Sequence, residues 1–280
     1  MPALISLLLP TRARPKLARR FLETAFQTCL HPKQVEIIMV VDNDDKTYEG
    51  FESPFARTTL FSVPPLTMSD RNRFAADKSS GDILALVNDD IVVESDAWDV
   101  AIRDMHAKHP DAIYLGYPND GFKGSKLATF PILSRFTYNN FDVLPAIYSG
   151  AFIDTHLHET FLNLQGFGAD RICYLADVKF THRHYRVTKD APDETYNRRD
   201  RFGDDLTFLQ NVKIRYAVSL KMRHYIQTGD RFSASGADDV VDGIMAPFSY
   251  YLFACPGHMG YRIRMVCYFL ARLIYNKLFK

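Results

Sequence analysis

Cysteine is scarce in this 280-residue chain, and Cys29, Cys173, Cys255 and Cys267 stand far apart with no CxxC pair. That spacing excludes a disulfide framework and a cysteine-built zinc site. An excess of charge of either sign is missing too. The 34 Lys and Arg face 33 Asp and Glu, a formal net charge of +1, so the chain is not strongly basic and nucleic acid is not an expected partner. The apolar run at residues 5–9 is too short for a secretory signal and Pro10 ends it, which makes the reducing cytoplasm the expected location. Glycine-rich phosphate loops are absent as well: no GxGxxG follows the first apolar run, and no GxxxxGK(S/T) occurs anywhere. A nucleotide bound here would rely on carboxylates and a metal in place of a glycine loop.

What is present is a strand–helix alternation. Residues 4–9, 35–41 and 82–87 are apolar runs of strand length, and residues 58–63 read as a further strand. Residues 15–30, opened by Pro15, and residues 71–78, closed near Gly81, carry helical spacing. This order predicts a Rossmann-like α/β fold, a mostly parallel mixed sheet flanked by helices. Ligand sites in such sheets gather at the carboxyl ends of strands. Thr11, Asp42 and the triplet Asn88-Asp89-Asp90 would then share one rim. Two adjacent carboxylates and a carboxamide leaving a buried strand are costly to desolvate, and a divalent cation bridging to phosphate offsets that cost.

The second half is less regular. Residues 116–130, rich in Gly, Lys, Asn and Asp, read as a long mobile loop, and residues 148–152 as a strand or tight turn beside the cleft. Residues 161–174 hold Gly166 to Arg171 and then a helix-like apolar run. Residues 178–185 read as a strand with His182 and His184 on one face, either able to hold a metal or touch phosphate. A densely charged stretch at 192–205 precedes a helix expected over 206–227. Residues 261–280 carry basic residues and no acidic one, with aromatic side chains throughout. Arg264 and Arg272 make this a poor spanning helix. It suits an interfacial helix on an anionic membrane surface, or else a terminal helix docked on the protein.

Four pieces, in order, resemble the family-two-like nucleotide-sugar glycosyltransferases of the A-type fold. They are Ile5-Ser6-Leu7-Leu8-Leu9-Pro10-Thr11, Glu36-Ile37-Ile38-Met39-Val40-Val41-Asp42-Asn43, Arg71-Asn72-Arg73-Phe74-Ala75, and Ser80-Gly81-Asp82-Ile83-Leu84-Ala85-Leu86-Val87-Asn88-Asp89-Asp90. The resemblance implies a catalytic domain over 1–205 and a helical C-terminal extension over 206–280. It implies that Thr11 and Arg12 approach the base or ribose, that Asp42 hydrogen-bonds the base, and that Asn72 supports the cleft. Asp90 matches the last carboxylate of the family's DxD metal motif, with Asn88 at its first position. Asn88 and Asp89 would meet the donor, Asp89 and Asp90 would bind Mn²⁺ or Mg²⁺, and His182 or His184 would complete the ion's shell. Asp170, after Gly168-Ala169, would be the base of an inverting transfer. The implied reaction moves a sugar from a nucleoside diphosphate sugar to a hydroxyl on a glycan or lipid-linked acceptor, by a cytoplasmic enzyme peripheral at the inner face of the membrane. A nucleotidyltransferase and a non-catalytic nucleotide-sugar-binding protein are the competing readings.

Overall fold

Strand β1 (Ile5–Pro10) is buried at every position because it runs through the middle of the sheet, and β2 (Val35–Asp42) is buried along its whole length for the same reason. The computed structural model describes residues 2–183, 203–231, 241, 243 and 245–279. Six further strands follow: β3 (Thr58–Val63), β4 (Ile83–Leu86), β5 (Ile91–Val93), β6 (Leu115–Asn119), β7 (Ile132–Ser134) and β8 (Ile172–His182). The eight form one sheet in the order β3-β2-β1-β4-β7-β6-β8-β5. Strands β3, β2, β1 and β4 are parallel. Antiparallel β7 reverses direction beside β4, and β6 reverses again beside β7, so β6 and its parallel neighbour β8 regain the common direction. The mixed, mostly parallel sheet expected from the sequence is the one observed.

Alternate side chains feed two cores. On one face Ile5, Leu7 and Leu9 join Ile37, Met39 and Val41 under Phe21, Leu22 and Ala25 of α1 (Pro15–Gln27). On the other, Leu8, Ile38 and Leu86 meet Leu157 and Phe161 of α5 (Ile153–Gly166). Helices α2 (Met68–Lys78), α3 (Trp98–Ala107) and α4 (Arg135–Phe141) fill the remaining connections. After β8 the described chain is helical: α6 (Asp205–Gln210), α7 (Val212–Thr228), α8 (Met245–Phe253) and α9 (Met259–Phe279). Val218 and Met222 of α7 belong to the second core, while Phe208, Phe248, Met265 and Phe269 build a third.

The helical part is joined to α5 by a buried ion pair. Arg215 of α7 donates to Glu159 at 2.7 Å, and Tyr251 and Tyr261 donate to the same carboxylate at 2.6 and 3.0 Å. Burial works against the charge on Arg215, and Glu159 outweighs it, raising its pKa. Removing one partner of such a pair would leave an uncompensated buried charge, at a cost of about 3–5 kcal/mol.

Three local expectations are corrected. The helix read over 206–227 is two helices broken at Asn211, whose side chain donates to the Thr207 carbonyl at 2.6 Å and so competes with backbone bonding. The apolar run near residue 172 is strand, not helix, because it pairs with β6 in the register Leu115↔Ile172. Residues 116–130, read as a loop, begin within strand β6 and continue as an arch pinned as described next.

Candidate active site

The sheet topology puts the carboxyl ends of β1, β2, β4, β6 and β8 on one rim, and a cavity of about 280 Å³ opens there. Val87, exposed Asn88 and His182 line it from the sheet side, joined by Asn72 of α2. Phe122, Lys123 and Thr129 form a second wall, and Gly150 to Asp154 form a third.

Each of the last two walls is held by one buried aspartate. The Asp120 carboxylate accepts the backbone N–H groups of Phe122, Lys123 and Gly124 at 3.0, 2.7 and 2.8 Å, and the Thr129 hydroxyl at 2.8 Å. Asp204 accepts the N–H groups of Ser149, Gly150 and Ala151 at 2.9, 2.9 and 2.8 Å. Beyond that clamp Phe152 takes φ = 67°, a left-handed conformation that costs a side-chain-bearing residue roughly 1–2 kcal/mol. Stacking of its ring on Phe208, centroids 4.9 Å apart, helps hold the turn. The turn launches α5, so that Asp154 in the first helical turn lines the cavity.

The turn after β4 sends its three polar residues different ways. Asn88 faces the cavity. Asp89 turns back toward β1: its carboxylate accepts from the Thr11 hydroxyl at 2.7 Å and from Arg14 at 3.2 Å. Burial pushes the Asp89 pKa up to about 6, against the pull of Arg14 and Thr11. Asp90 turns toward β8. The pairing Ile91↔His182 sets His182 beside it, with Nε2 3.2 Å from an Asp90 carboxylate oxygen.

If a divalent cation binds at this rim, Asp90 and His182 are the residues placed to hold it. The buried Asp90 carboxylate and the cavity-lining His182 imidazole, in contact with each other, are oxygen and nitrogen donors of the kinds that would suit Mn²⁺ or Mg²⁺. Among the described residues no cluster of three or more His, Cys, Asp or Glu side chains forms a closed protein cage. Asp89 is committed to Thr11 and Arg14. His184 lies outside the described residues.

The other expected residues divide. Asn72 lines the cavity while its amide donates to the Met68 carbonyl at 2.9 Å. Thr11 is buried and bonded to Asp89 and Tyr48. Asp42 is fully buried at the end of β2, and both Arg12 and Arg71 bind its carboxylate, so a nucleobase would have to compete with two guanidinium groups to reach it. Arg12 also holds Asp44 at 2.9 Å.

Asp170 is not brought to this rim. It is exposed just before β8, whose first residue Ile172 pairs with Leu115 at the start of β6, on the opposite edge of the sheet. Strand rise of roughly 3.3 Å per residue puts it on the order of 25 Å or more from His182, at the far end of β8. Asp154 is the carboxylate that sequence order missed. Residues 148–152 form the tight turn beside the cleft that the sequence offered, and the usable signal for Asp154 is its place in the first turn of the helix that follows.

A pH-sensitive contact braces the second wall. The Ala128 N–H donates to His158 Nδ1 at 3.0 Å, which requires that nitrogen to be unprotonated. Burial, with Arg264 adding to it, pushes the His158 pKa down to about 4 from 6.5. Between those values the unfolded chain binds a proton that the folded chain does not. Stability is therefore unaffected above pH 6.5 and falls as pH drops toward 4, by up to about 3 kcal/mol from this group. Fully buried His156, its pKa also lowered by burial, adds to the same limb. His158→Gln is expected to flatten the acid limb of a melting-temperature-versus-pH curve. An unchanged slope in that variant would remove His158 from the account.

Neither the protein-family models nor the curated proteins give a match to this chain. Solved structures do. The mannosyltransferase PcManGT from Pyrobaculum calidifontis, in complex with GDP-Man and Mn²⁺, aligns over 100% of this chain and 77% of its own, with 12% identity and TM-score 0.51. S. aureus TarS 1–349 with UDP-GlcNAc aligns over 97% of this chain and 81% of its own, at 12% identity and TM-score 0.53. Another TarS structure aligns over 79% of this chain and 43% of its own, at 14% identity and TM-score 0.51. Sheet order, the rim cavity and these likenesses agree: the chain has the glycosyltransferase A-type fold, with a helical C-terminal part.

Proposed function

We propose that this chain is an inverting glycosyltransferase using a nucleoside diphosphate sugar donor. The observation that carries the reading is one cavity lined by Asn88 and His182 from the strand ends and by Asp154 from the facing helix. Donor phosphates would sit against the strand-end side, where a bound Mn²⁺ or Mg²⁺ supplies charge neutralisation to the departing diphosphate. Asp90 and His182 would hold that ion, and the Asn88 carboxamide would hydrogen-bond a phosphate or sugar oxygen. Lys123, in the wall clamped by Asp120, adds a positive charge to the same cavity. Asp154 would accept the proton of the acceptor hydroxyl as its oxygen attacks the anomeric carbon from the face opposite the diphosphate, which inverts that centre. The acceptor hydroxyl belongs to a glycan or a lipid-linked molecule, and the enzyme works peripherally at a membrane. Residues 1–205 would form the catalytic part, whose acceptor wall is clamped by Asp204 at its end, and 206–280 a helical extension packed beside it.

The test is a panel of UDP-, GDP- and dTDP-sugars with Mn²⁺ or Mg²⁺, read by melting temperature and by slow donor hydrolysis. One donor is expected to raise the melting temperature in a metal-dependent way, since ligands that bind only the folded state stabilise it by mass action. It should also release its nucleoside diphosphate. No shift and no release with any sugar nucleotide would reject the reading. A shift without release would leave only a binding protein.

A further inference from the structure

We infer that the outward face of α9 is a docking surface for an anionic lipid bilayer. From Gly243 to the end of the sequence there is no acidic residue. Helix α9 is fixed to the protein by its inner face. Met265 and Phe269 are buried in the third core, Arg262 donates to the carbonyls of Tyr251 and Leu252, and Arg272 forms a bidentate pair with Asp205 at 2.7–3.0 Å. These four side chains are therefore not lipid contacts, contrary to the expectation from sequence.

What remains outward is apolar. Ile263 is 48% exposed, Leu270 37% and Ile274 58%, with exposed Cys267 completing a stripe at helical spacing. Tyr268 and Tyr275, 45% and 51% exposed, are side chains of the kind that sit at headgroup level. The exposed charges on the described part of the helix, Arg264 and Lys277, are both basic and stand toward opposite ends of it. No described helix is long and apolar enough to cross a membrane. A helix held flat on the body by one face and presenting an apolar, aromatic and basic face outward has the amphipathic make-up of an interfacial helix. Charge favours lipid over a second copy of the chain, because two-fold pairing of this face would bring basic residues against basic residues with no carboxylate of α9 to match them. An anionic headgroup layer matches them directly. The surface stands independently of the glycosyl-transfer reading, while its use, presenting the cavity to a lipid-borne hydroxyl, rests on that reading.

The experiment is co-sedimentation of the full chain with vesicles of phosphatidylcholine alone or with 30 mol% phosphatidylglycerol, a composition chosen by order of magnitude (~30%) to give a clearly negative surface potential. The native chain is expected to bind the anionic vesicles, less at high salt. Ile263→Glu/Leu270→Glu/Ile274→Glu is expected to lower the partition coefficient at least tenfold. Because these side chains are exposed, circular dichroism melting and the donor-induced thermal shift should stay as in the native chain. Arg264→Gln/Lys277→Gln should weaken binding and flatten its salt dependence. Equal sedimentation of the native chain and the triple variant would overturn the assignment. So would a native dimer that the triple variant dissolves while neither form binds vesicles. Failure of the donor shift in both, with vesicle binding lost only in the variant, would reject the enzymatic reading and keep the surface.

Discussion

Asp154→Asn is expected to lower glycosyl transfer by about 10²–10⁴-fold while donor binding persists, the usual contribution of a positioned general base. The substitution keeps size and hydrogen-bonding shape and removes basicity. Asp154 sits in the first turn of α5, where its carboxylate accepts the Thr155 N–H at 2.7 Å, and an asparagine oxygen can keep that bond. Folding should therefore change little, and loss of rate would report chemistry. Turnover, donor-induced melting shift and product anomer should be measured together. Asp170→Asn is the matched control: exposed and on the opposite edge of the sheet, it should leave turnover within about twofold, because surface changes away from a site are usually near-neutral. If Asp170→Asn loses transfer and Asp154→Asn retains it, the positions assigned to the two carboxylates are wrong.

Asp90→Ala is expected to remove at least about 100-fold of the metal-stimulated rate, since charge stabilisation of a leaving group by a cation is worth several kcal/mol. The effect should appear as a lost response to added Mn²⁺ or Mg²⁺, with the metal-free background unchanged. Asp90 lies beside His182 at 3.2 Å, so His182→Ala should show the same signature in weaker form. Asp89→Ala should differ in kind. Its carboxylate binds Thr11 and Arg14, so its loss should lower the melting temperature and affect turnover only through that change. A full metal response in Asp90→Ala, measured as turnover against Mn²⁺ concentration, would overturn the assignment.

The contrast between those two neighbours shows what the sequence could carry. Apolar runs of strand length located β1, β2 and β4 closely, because a buried parallel strand needs a continuous apolar stretch whatever it pairs with, while β3, an edge strand, shows a mixed polar and apolar sequence. The same runs placed Asn88-Asp89-Asp90 on the rim. They could not say which way each side chain turns, since that depends on Thr11 and Arg14 on one side and on the Ile91↔His182 pairing on the other. Asp170 was misplaced for a related reason. Its position follows from the direction of β8, set by pairing with β6 across more than fifty residues of intervening chain. Helix α5 was hidden because His156, His158 and Glu159 are buried among its apolar residues, which blurs the amphipathic signal. Buried polar residues of this kind are legible only once Tyr148, Ala128 and Arg215 are seen to partner them.

The Asp204 clamp also bears on the order in which the molecule comes together. Ser149, Gly150 and Ala151 are tied to a carboxylate 53 to 55 positions further along the chain. A contact of that separation closes a large loop, as does the β1–β4 pairing Ile5↔Ile83, whereas the β1–β2 unit, Ile5↔Val35, closes a shorter one. The pairing of β1, β2 and β4 does not involve Asp204, so these strand ends can form before the wall of Gly150 to Asp154 is fixed, while His182 waits on the pairing of β8 with β5. Such a partly folded species would have its strands in place and an open cleft with Phe152 still free of its left-handed turn. The wall of Gly150 to Asp154 thus matures only when the segment carrying Asp204 has docked, whatever the order in which the strands pair.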